Sequence, residues 1–239
     1  MTYTYRYPRP SVTVDAVVFG VTPQDNQLRV LLVKRKNPPF EGFWALPGGF
    51  VNVSDEGDQG EPLEDAVLRE LKEETNVAVE YIEQLGTFGA PGRDPRGRVI
   101  SVAYFGLVRT TDHLPIGGDD AAEAAWFTDP FDPEDLAFDH DEIIHAAKTR
   151  LQGKIRYAPI GFNLLPAQFT LPEMRNLYET ILQRKIEPAN FRRKVQQMKI
   201  LKEVGVRKRE GVGSRPPVLY EFDKKRYDRA VRDGFNFEI

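Results

Sequence analysis

The sequence predicts a two-part chain. A mixed α/β domain, of the α+β kind, is expected over residues 1–150, and a smaller helical domain closed by a basic β-hairpin over 151–239. Three observations predict this. The first part alternates runs of β-branched residues with one long amphipathic helix, and the second strings helices together ahead of a glycine-rich turn. The charge divides at the same place: residues 1–150 hold 14 Lys+Arg and 26 Asp+Glu, a net of −12, whereas 151–239 hold 19 and 10, a net of +9. An acidic half suits a metal-dependent site or a solvated face, and a basic half suits a polyanion, most often nucleic acid. The 239 residues allow one large domain or two small ones, and 41% apolar with 29% charged residues argues against wholesale disorder. The absence of cysteine excludes disulfides, thiolate metal sites and a cysteine nucleophile. No apolar run approaches the roughly 18 residues of a membrane span. The start, Met1-Thr-Tyr-Thr-Tyr, has no signal-peptide core. A soluble, cytoplasmic protein is the expectation.

In order along the chain, Ser11–Gly20 and Leu28–Arg35 read as strands, and Asp25-Asn26 between them makes a hairpin natural. Residues 43–46 read as a short strand running into Pro47-Gly48-Gly49, and the polar stretch 52–60 as a loop. A helix is expected from about Glu61 to Asn76. Strands are expected over 77–88 and 98–109, joined by a linker holding Gly92-Arg93-Asp94-Pro95-Arg96-Gly97-Arg98, and a last short strand over 123–128. No internal repeat interrupts this order.

A helix over Asp141–Gly153 leads from the first part into the second, followed by a connector, 155–168, carrying two prolines. Thr170-Leu-Pro-Glu173 is a capping box, in which the hydroxyl takes one free N–H and the glutamate reaches back for another. That helix runs to about Gln183. A third runs from Pro188 to about Val204, stopped by Gly205, and two strand-like pieces then flank a basic turn. Helix, helix and basic hairpin is the order of a winged helix-turn-helix.

Chemistry concentrates first on the helix 61–76. Glu70, Glu73 and Glu74 stand at i, i+3 and i+4 and share one face. Like charges so placed repel unless a cation sits among them, and such an oxygen-rich cluster suits Mg²⁺ or Mn²⁺. An ordinary solvated helix face is the competing reading. What separates the two is the surrounding pattern: Glu61, seven residues, Arg69-Glu70-Leu71-x-Glu73-Glu74, with Leu46-Pro47-Gly48-Gly49 upstream. This segment resembles the Nudix box. The resemblance implies that Glu70, Glu73 and Glu74 ligate metal, that Arg69 and Glu61 brace the loop and helix by ion pairing, and that Gly49 sits where the backbone turns tightly. Eleven residues separate Gly49 from Glu61 where the family pattern has five, and Asn76 replaces a glycine. Asn tolerates left-handed geometry.

Such a helix supports hydrolysis of a diphosphate linked to another group. Glu123, Asp119 and Asp120 are the candidates for a general base by position, and a plain surface role is favoured for Glu123. Arg93, Arg96 and Arg98, with Asp94 between them, offer guanidinium grips on a pyrophosphate, or else form a basic turn with no ligand. This run resembles the substrate loop of Nudix proteins that handle ADP-ribose. Lys34 and Arg35, at a strand end near Gly48-Gly49, are further candidates to face a ligand. His140 and His145 are five apart and share no helix face, and His140 reads as a helix-start residue. No P-loop is present.

Chemistry concentrates next on residues 188–204. Phe191, Val195, Met198 and Leu201 form the candidate buried stripe. Arg192, Arg193, Lys194, Gln196, Gln197 and Lys199 fall on the other faces, where Arg can read guanine, Gln can read adenine and both cations can hold phosphates. Lys208, Arg209 and Arg215 stand on the expected wing. A basic helix packed against the first domain is the alternative. Together with Ile160-Gly-Phe-Asn-Leu-Leu-Pro166, Phe169-Thr-Leu171 and Phe191-Arg-Arg193, the arrangement resembles the NrtR family of transcriptional regulators. That resemblance implies a homodimeric repressor of NAD-metabolism genes that binds ADP-ribose through its Nudix domain and operator DNA through its winged helix. Two other readings stand beside it: a working Mg²⁺-dependent ADP-ribose pyrophosphatase with a dimerising tail, and a sugar-responsive regulator of the same family.

Overall fold

Thr13 to Val21 is buried residue after residue, which places this segment at the centre of a sheet covered on both faces. The structure, a computed structural model, describes residues 6–21, 27–53, 60–109, 121–128, 136–207, 216–235 and 237–239. The central strand, β1 (Ser11–Val21), lies between β2 (Leu28–Arg35) and β6 (Val99–Arg109), and β3 (Trp44–Ala45) and β5 (Tyr81–Phe88) extend the order to β3-β2-β1-β6-β5. Two strands pair outside this path: β4 (Gly48–Phe50) runs antiparallel to β1, and β7 (Ala121–Thr128) antiparallel to β2. One sheet face packs Val14, Ala16, Val18, Leu31, Val102, Tyr104 and Val108 against α1 (Leu63–Thr75), which turns Ala66, Val67 and Leu71 inward. Burying a leucine such as Leu71 contributes about 2–3 kcal/mol. This stripe fixes the rotation of α1, and with it the direction in which the glutamates project. The helix stops at Asn76, which adopts the left-handed conformation (φ 55°) and returns its N–H to the carbonyl of Lys72.

The chain forms two compact units, Met1–Gly20 with Arg29–Lys148, and Val21–Leu28 with Thr149–Ile239, so the division falls inside α2 (His140–Lys154). In the second unit a 3-10 helix, Pro159–Leu164, stands in the proline-bearing connector. It is followed by α3 (Leu171–Leu182) with the expected capping box at Thr170 and Glu173. Met174, Leu177, Tyr178 and Ile181 of α3 are buried, as are Phe191, Val195 and Met198 of α4 (Pro188–Met198). Strands β8 (Leu201–Val206) and β9 (Val218–Phe222) make the wing, and an isolated bridge joins Phe169 to Tyr220. Phe162 stacks on Phe222 at 4.2 Å.

The structure corrects the sequence reading at four points. The helix expected over 188–204 is two elements. It ends at Met198, Lys199 turns left-handed (φ 54°), Ile200 drops into the core, and 201–206 pairs with β9. Leu201 therefore belongs to the wing. Gly205 marks a shift in strand register rather than a helix stop. Strand β5 begins at Tyr81, four residues later than expected. Strand β4 and a fifth helix, α5 (Lys224–Arg232), have no counterpart among the expected elements. Among the described residues no helix is long and apolar enough to cross a membrane.

Candidate functional site

The Pro47-Gly48-Gly49 turn brings β4 beside β1 and directly over the glutamate face of α1. Gly48 pairs with Asp15 and donates its N–H to Glu74 Oε2 at 2.9 Å. A Cβ on Gly49 would lie 2.6 Å from Glu70 Cδ and 2.8 Å from its Oε2. Gly49 is not among the positive-φ residues, so glycine here answers to lateral room for the Glu70 carboxylate and not to a tight turn. That corrects the expectation for this residue.

Arg69 anchors the same region. Its guanidinium donates to Glu61 at 2.7 and 3.0 Å, to Glu70 at 2.8 Å, to Glu73 at 3.0 Å and to the Phe50 carbonyl at 3.3 Å. The side-chain bond from Arg69 holds the Glu61 carboxyl below its ordinary pKa, and the three acids hold Arg69 above its own, Glu61 foremost. Glu70 goes the other way. Burial pushes its pKa up, and Arg69 only partly offsets this.

A cleft of about 260 Å³ opens beside these residues. Gly48, Gly49, Glu70 and Glu74 line one side, and Arg35, Arg93, Asp94 and Arg96 another. Arg69, Glu61, Glu73 and Arg98 are not part of the lining. The three guanidiniums expected to act together are thus parted. Arg93 is 4% exposed and forks onto Asp139 at 2.5 and 2.8 Å. Arg96 is held by buried Asp94 at 2.7 Å, with its guanidinium 5.0 Å from the Phe50 ring and 5.7 Å from that of Phe138. Arg98 donates to the carbonyl of Gly89. Arg35 donates to the Pro39 carbonyl and lies 5.0 Å from the Phe138 ring, and burial lowers its pKa, with Arg96 adding to the effect. Lys34 instead covers the Trp44 ring at 5.7 Å. Glu123 is exposed on β7 and outside the cleft, and Asp119 and Asp120 lie outside the described residues.

Sequence reasoning missed Asp15, Phe138, Asp139 and the buried role of His140. His140 is the first residue of α2, as expected, and it also lines the cleft. Its Nδ1 accepts the Leu46 N–H at 2.9 Å, its Nε2 lies 3.7 Å from Asp15, and burial lowers its pKa. Asp15 also accepts from the Ser101 hydroxyl. One signal was available: Asp15 interrupts an otherwise apolar strand, Val12 to Phe19, where a charge is costly unless paired.

Glu70 and Glu74 reach the cleft with hard oxygen donors suited to Mg²⁺ or Mn²⁺. Glu73 is 58% exposed and occupied with Arg69, and among the described residues no three acidic or histidine side chains converge into a closed metal cage. The fit is that of two donors on the wall, one of them, Glu70, half-buried and held by Arg69.

In the second unit α4 buries Phe191, Val195 and Met198, half-buries Lys194 and exposes the rest. Arg192, Arg193, Gln196, Gln197 and Lys199 share one shallow concave face. Lys194 departs from them and pairs with Glu238 at 3.3 Å. Lys208, Arg209 and Arg215 lie outside the described residues. Arg207, just past β8, bonds to Glu173 of the capping box at 2.5 and 3.2 Å.

Comparison with known proteins adds relatives to this geometry. The NUDIX domain model matches residues 12–147, and the model of the NrtR DNA-binding winged helix domain matches 161–222. The ADPR responsive transcriptional repressor NtrR of Acinetobacter baylyi is 37% identical over 233 residues, covering 97% of this chain and 87% of the relative. The ADP-ribose pyrophosphatase of Methanocaldococcus jannaschii is 44% identical over 138 residues, 58% of this chain and 73% of the relative. Shewanella oneidensis NrtR complexed with a 27mer DNA is 36% identical, covers 95% of this chain and 97% of its own, and superposes with a TM-score of 0.76. The NUDIX domain of that protein complexed with ADP ribose is 40% identical, covers 61% of this chain and 90% of its own, with a TM-score of 0.52. With a Nudix domain, an NrtR-type winged helix domain and a repressor relative matched along nearly its whole length, the chain belongs to the NrtR family of Nudix-related transcriptional regulators.

Proposed function

We propose that this chain is a transcriptional repressor that binds ADP-ribose in the cleft of its Nudix domain and operator DNA on the outer face of α4. The observation that carries this is the coexistence in one chain of the cleft, with cationic Arg35 and Arg96 facing carboxylates Glu70 and Glu74, and the basic face of Arg192, Arg193, Gln196 and Gln197. The likeness to an ADPR responsive repressor over 97% of the chain supports the pairing of the two. A pyrophosphate with its two negative charges suits the arginine side of the cleft, and Phe50 and Phe138 add flat apolar surface. Arg93 and Asp94 act from behind, Arg93 by tying the loop to Asp139 and Asp94 by aiming Arg96. On the DNA side Arg192 and Arg193 supply the cations and Gln196 and Gln197 the paired amide groups, and the sequence offers Lys208, Arg209 and Arg215 as further cations for the phosphates. The protein works as a homodimer in the cytoplasm, since a dimer places two such helices about one DNA turn apart, and its operators lie at genes of NAD metabolism.

A second activity is favoured by one specific observation, the presence of Glu61, Arg69, Glu70, Glu73 and Glu74 in a chain that is 44% identical over 138 residues to an ADP-ribose pyrophosphatase. Nudix hydrolases as a class use divalent metal, and here Mg²⁺ or Mn²⁺ would be held by Glu70 and Glu74, with Glu73 recruited from Arg69. When bound, the ion supplies Lewis acidity at the diphosphate. Arg69 and Glu61 hold the loop against the helix, and Arg96 orients the diphosphate from the opposite wall.

A titration tests the first reading and an AMP-release assay the second. ADP-ribose binding is measured with and without operator DNA, in Ca²⁺ or with Glu74→Gln to suppress turnover. Coupling of about 1–3 kcal/mol is expected, roughly 5–150-fold and equal in both directions by linkage. Equal affinities with and without DNA would remove ADP-ribose as the effector. Arg192→Ala with Arg193→Ala is expected to weaken operator binding, and unchanged affinity and salt dependence would remove α4 as the reader. Release of AMP by the wild type and its loss in Glu74→Gln would establish the hydrolase.

A further inference from the structure

The matched winged helix domain ends at residue 222, and the helix α5 follows directly, capped by Asp223, whose carboxylate accepts the Arg226 N–H. Its sequence, Lys-Lys-Arg-Tyr-Asp-Arg-Ala-Val-Arg, contains five cations and one acid. It has no buried residue, and only Tyr227 and Ala230 are even partly covered. Tyr227 fastens it, its ring lying 5.8 Å from Phe222 and 6.5 Å from Phe235. At 100° per residue, Lys225, Arg229 and Arg232 then stand diametrically opposite that attachment, at i, i+4 and i+7.

Two of the three acids at hand are taken by the other cations, and the third, Asp233, caps the C-terminal end of the helix. Lys224 pairs with Asp228 at 2.7 Å, and Arg226 with Asp223, the N-cap, at 3.1 Å. Lys225, Arg229 and Arg232 have no side-chain partner among the described residues and are exposed. A solvated helix face in a protein ordinarily mixes signs, because a row of like charges repels itself. Here three cations form an unbroken row of roughly 10 Å along the axis. Over that length a duplex presents about six phosphates.

The start of α5 also lies beside the end of α4. Asp223 donates its N–H to the carbonyl of Ile200, one residue past the α4 cap, and Arg226 reaches the carbonyl of Leu201. After α5 the chain returns to α4, with Phe237 buried and Glu238 paired with Lys194. The cationic row is therefore built onto the same small unit as the α4 face, tied to it at both ends.

We propose that Lys225, Arg229 and Arg232 form a second DNA contact, a phosphate clamp on the duplex backbone flanking the stretch that α4 occupies. This rests on the reading of the winged helix domain as a DNA-binding module and adds to it a sequence-independent share of the affinity. Contacts of this kind fix register without reading bases, and their signature is the dependence of affinity on salt.

The test uses the full chain and a fluorescein-labelled mixed-sequence duplex of about three helical turns, roughly 30 bp, titrated by anisotropy over a series of salt concentrations. The K225Q/R229Q/R232Q variant is expected to flatten the slope of log K against log salt by about 2.7, or about 0.9 for each phosphate no longer neutralised. Arg229→Gln alone should flatten it by about 0.9, which keeps the question answerable if the triple variant folds poorly. The charge-preserving K225R/R229K/R232K variant should keep the wild-type slope. A wild-type slope in the neutral variants, with binding still weakened by R192A/R193A, overturns the clamp and leaves the DNA reading standing. No effect from either set overturns both. Neutral variants that keep the DNA slope but lose sedimentation with phosphatidylserine vesicles would assign the row to a membrane surface and overturn the clamp.

Discussion

Adding one methyl group at Gly48 or at Gly49 should have different consequences, because the two neighbours differ in their freedom to move. At Gly48 the new Cβ would meet the backbone carbonyl of Val14 and lie 2.9 Å from Asp15 Cα. Neither can retreat without opening the β1–β4 pairing, which would also cost the 2.9 Å bond from Gly48 N–H to Glu74. Overpacking of about 1–3 kcal/mol, together with a partly solvated hydrogen bond to a charged group, gives a loss of about 3 kcal/mol or more for Gly48→Ala. At Gly49 the obstacle is the carboxylate of Glu70, the far end of a side chain. It can swing aside by giving up its 2.8 Å bond from Arg69, so Gly49→Ala should lose only about 1–2 kcal/mol. Both tryptophans, Trp44 and Trp126, lie in the Nudix unit, so tryptophan fluorescence during urea unfolding reports that unit alone. Gly49→Ala should also weaken Mg²⁺ and ADP-ribose binding by more than its small stability loss explains, since it displaces a cleft carboxylate. Equal losses for the two variants, or a Gly48→Ala protein as stable as wild type, would refute the account of why glycine stands at both positions.

Other substitutions probe the network around the cleft and the second unit. Arg69→Ala strips the counter-charge from Glu61, Glu70 and Glu73 and should cost about 2–3 kcal/mol. With the burial-raised pKa of Glu70 no longer opposed, the folded state holds its proton longer than the unfolded chain. Stability of this variant should then fall more steeply than wild type as pH rises above the ordinary carboxylate range, and a pH series of urea midpoints checks it. His140 is kept neutral by burial, so the unfolded chain takes up its proton first as pH falls. The stability linked to it is complete above the ordinary histidine pKa of 6.5 and is lost below it. His140→Asn, which can still accept the Leu46 N–H, should show a flatter melting temperature between about pH 7 and pH 5, and an unchanged slope would place the titration elsewhere. Thr170→Ala removes the cap that accepts the Glu173 N–H and should destabilise the winged helix unit by about 1 kcal/mol, read by circular dichroism, with no change in ADP-ribose affinity.

The elements legible in the sequence are those whose cause is local. The strands β1, β2 and β6 announce themselves by β-branched runs, α1 by its stripe and α3 by a capping box within four residues. Asn76 stands where the family pattern has glycine, and it takes the left-handed conformation that asparagine tolerates. The misreadings share a different cause. Residues 199–204 continue a helical pattern well enough on their own, and only pairing with β9, itself beyond the basic turn, makes 201–206 a strand. Nothing local reports a partner so far along the chain. Helix α5 escapes for the converse reason: six of its nine residues are charged, it has no buried stripe, and the two rings that hold it, Phe222 and Phe235, lie outside the segment.

The candidate site divides along the same line. Glu61 and the Arg69 to Glu74 segment are readable because one helix carries nearly all of it, and helical spacing converts directly into a shared face. The opposite wall can be named only as a set of arginines, because sequence counts charges without showing where they are spent. Arg93, Arg96 and Arg98 look equivalent in a seven-residue loop, yet Asp139, Asp94 and the Gly89 carbonyl give them different situations. Arg93 is consumed in bracing, Arg98 is turned to the backbone of its own hairpin, and Arg96 alone of the three combines partial exposure with a place on the cleft wall. Behind Arg93 stands Asp15, within 3.8 Å of Arg93 and 3.7 Å of His140 and bonded to Ser101. A charge set in the middle of an apolar central strand has to gather partners from elements distant in sequence. Two of those partners, Arg93 from the β5–β6 loop and His140 from the start of α2, then line the cleft together with Asp15.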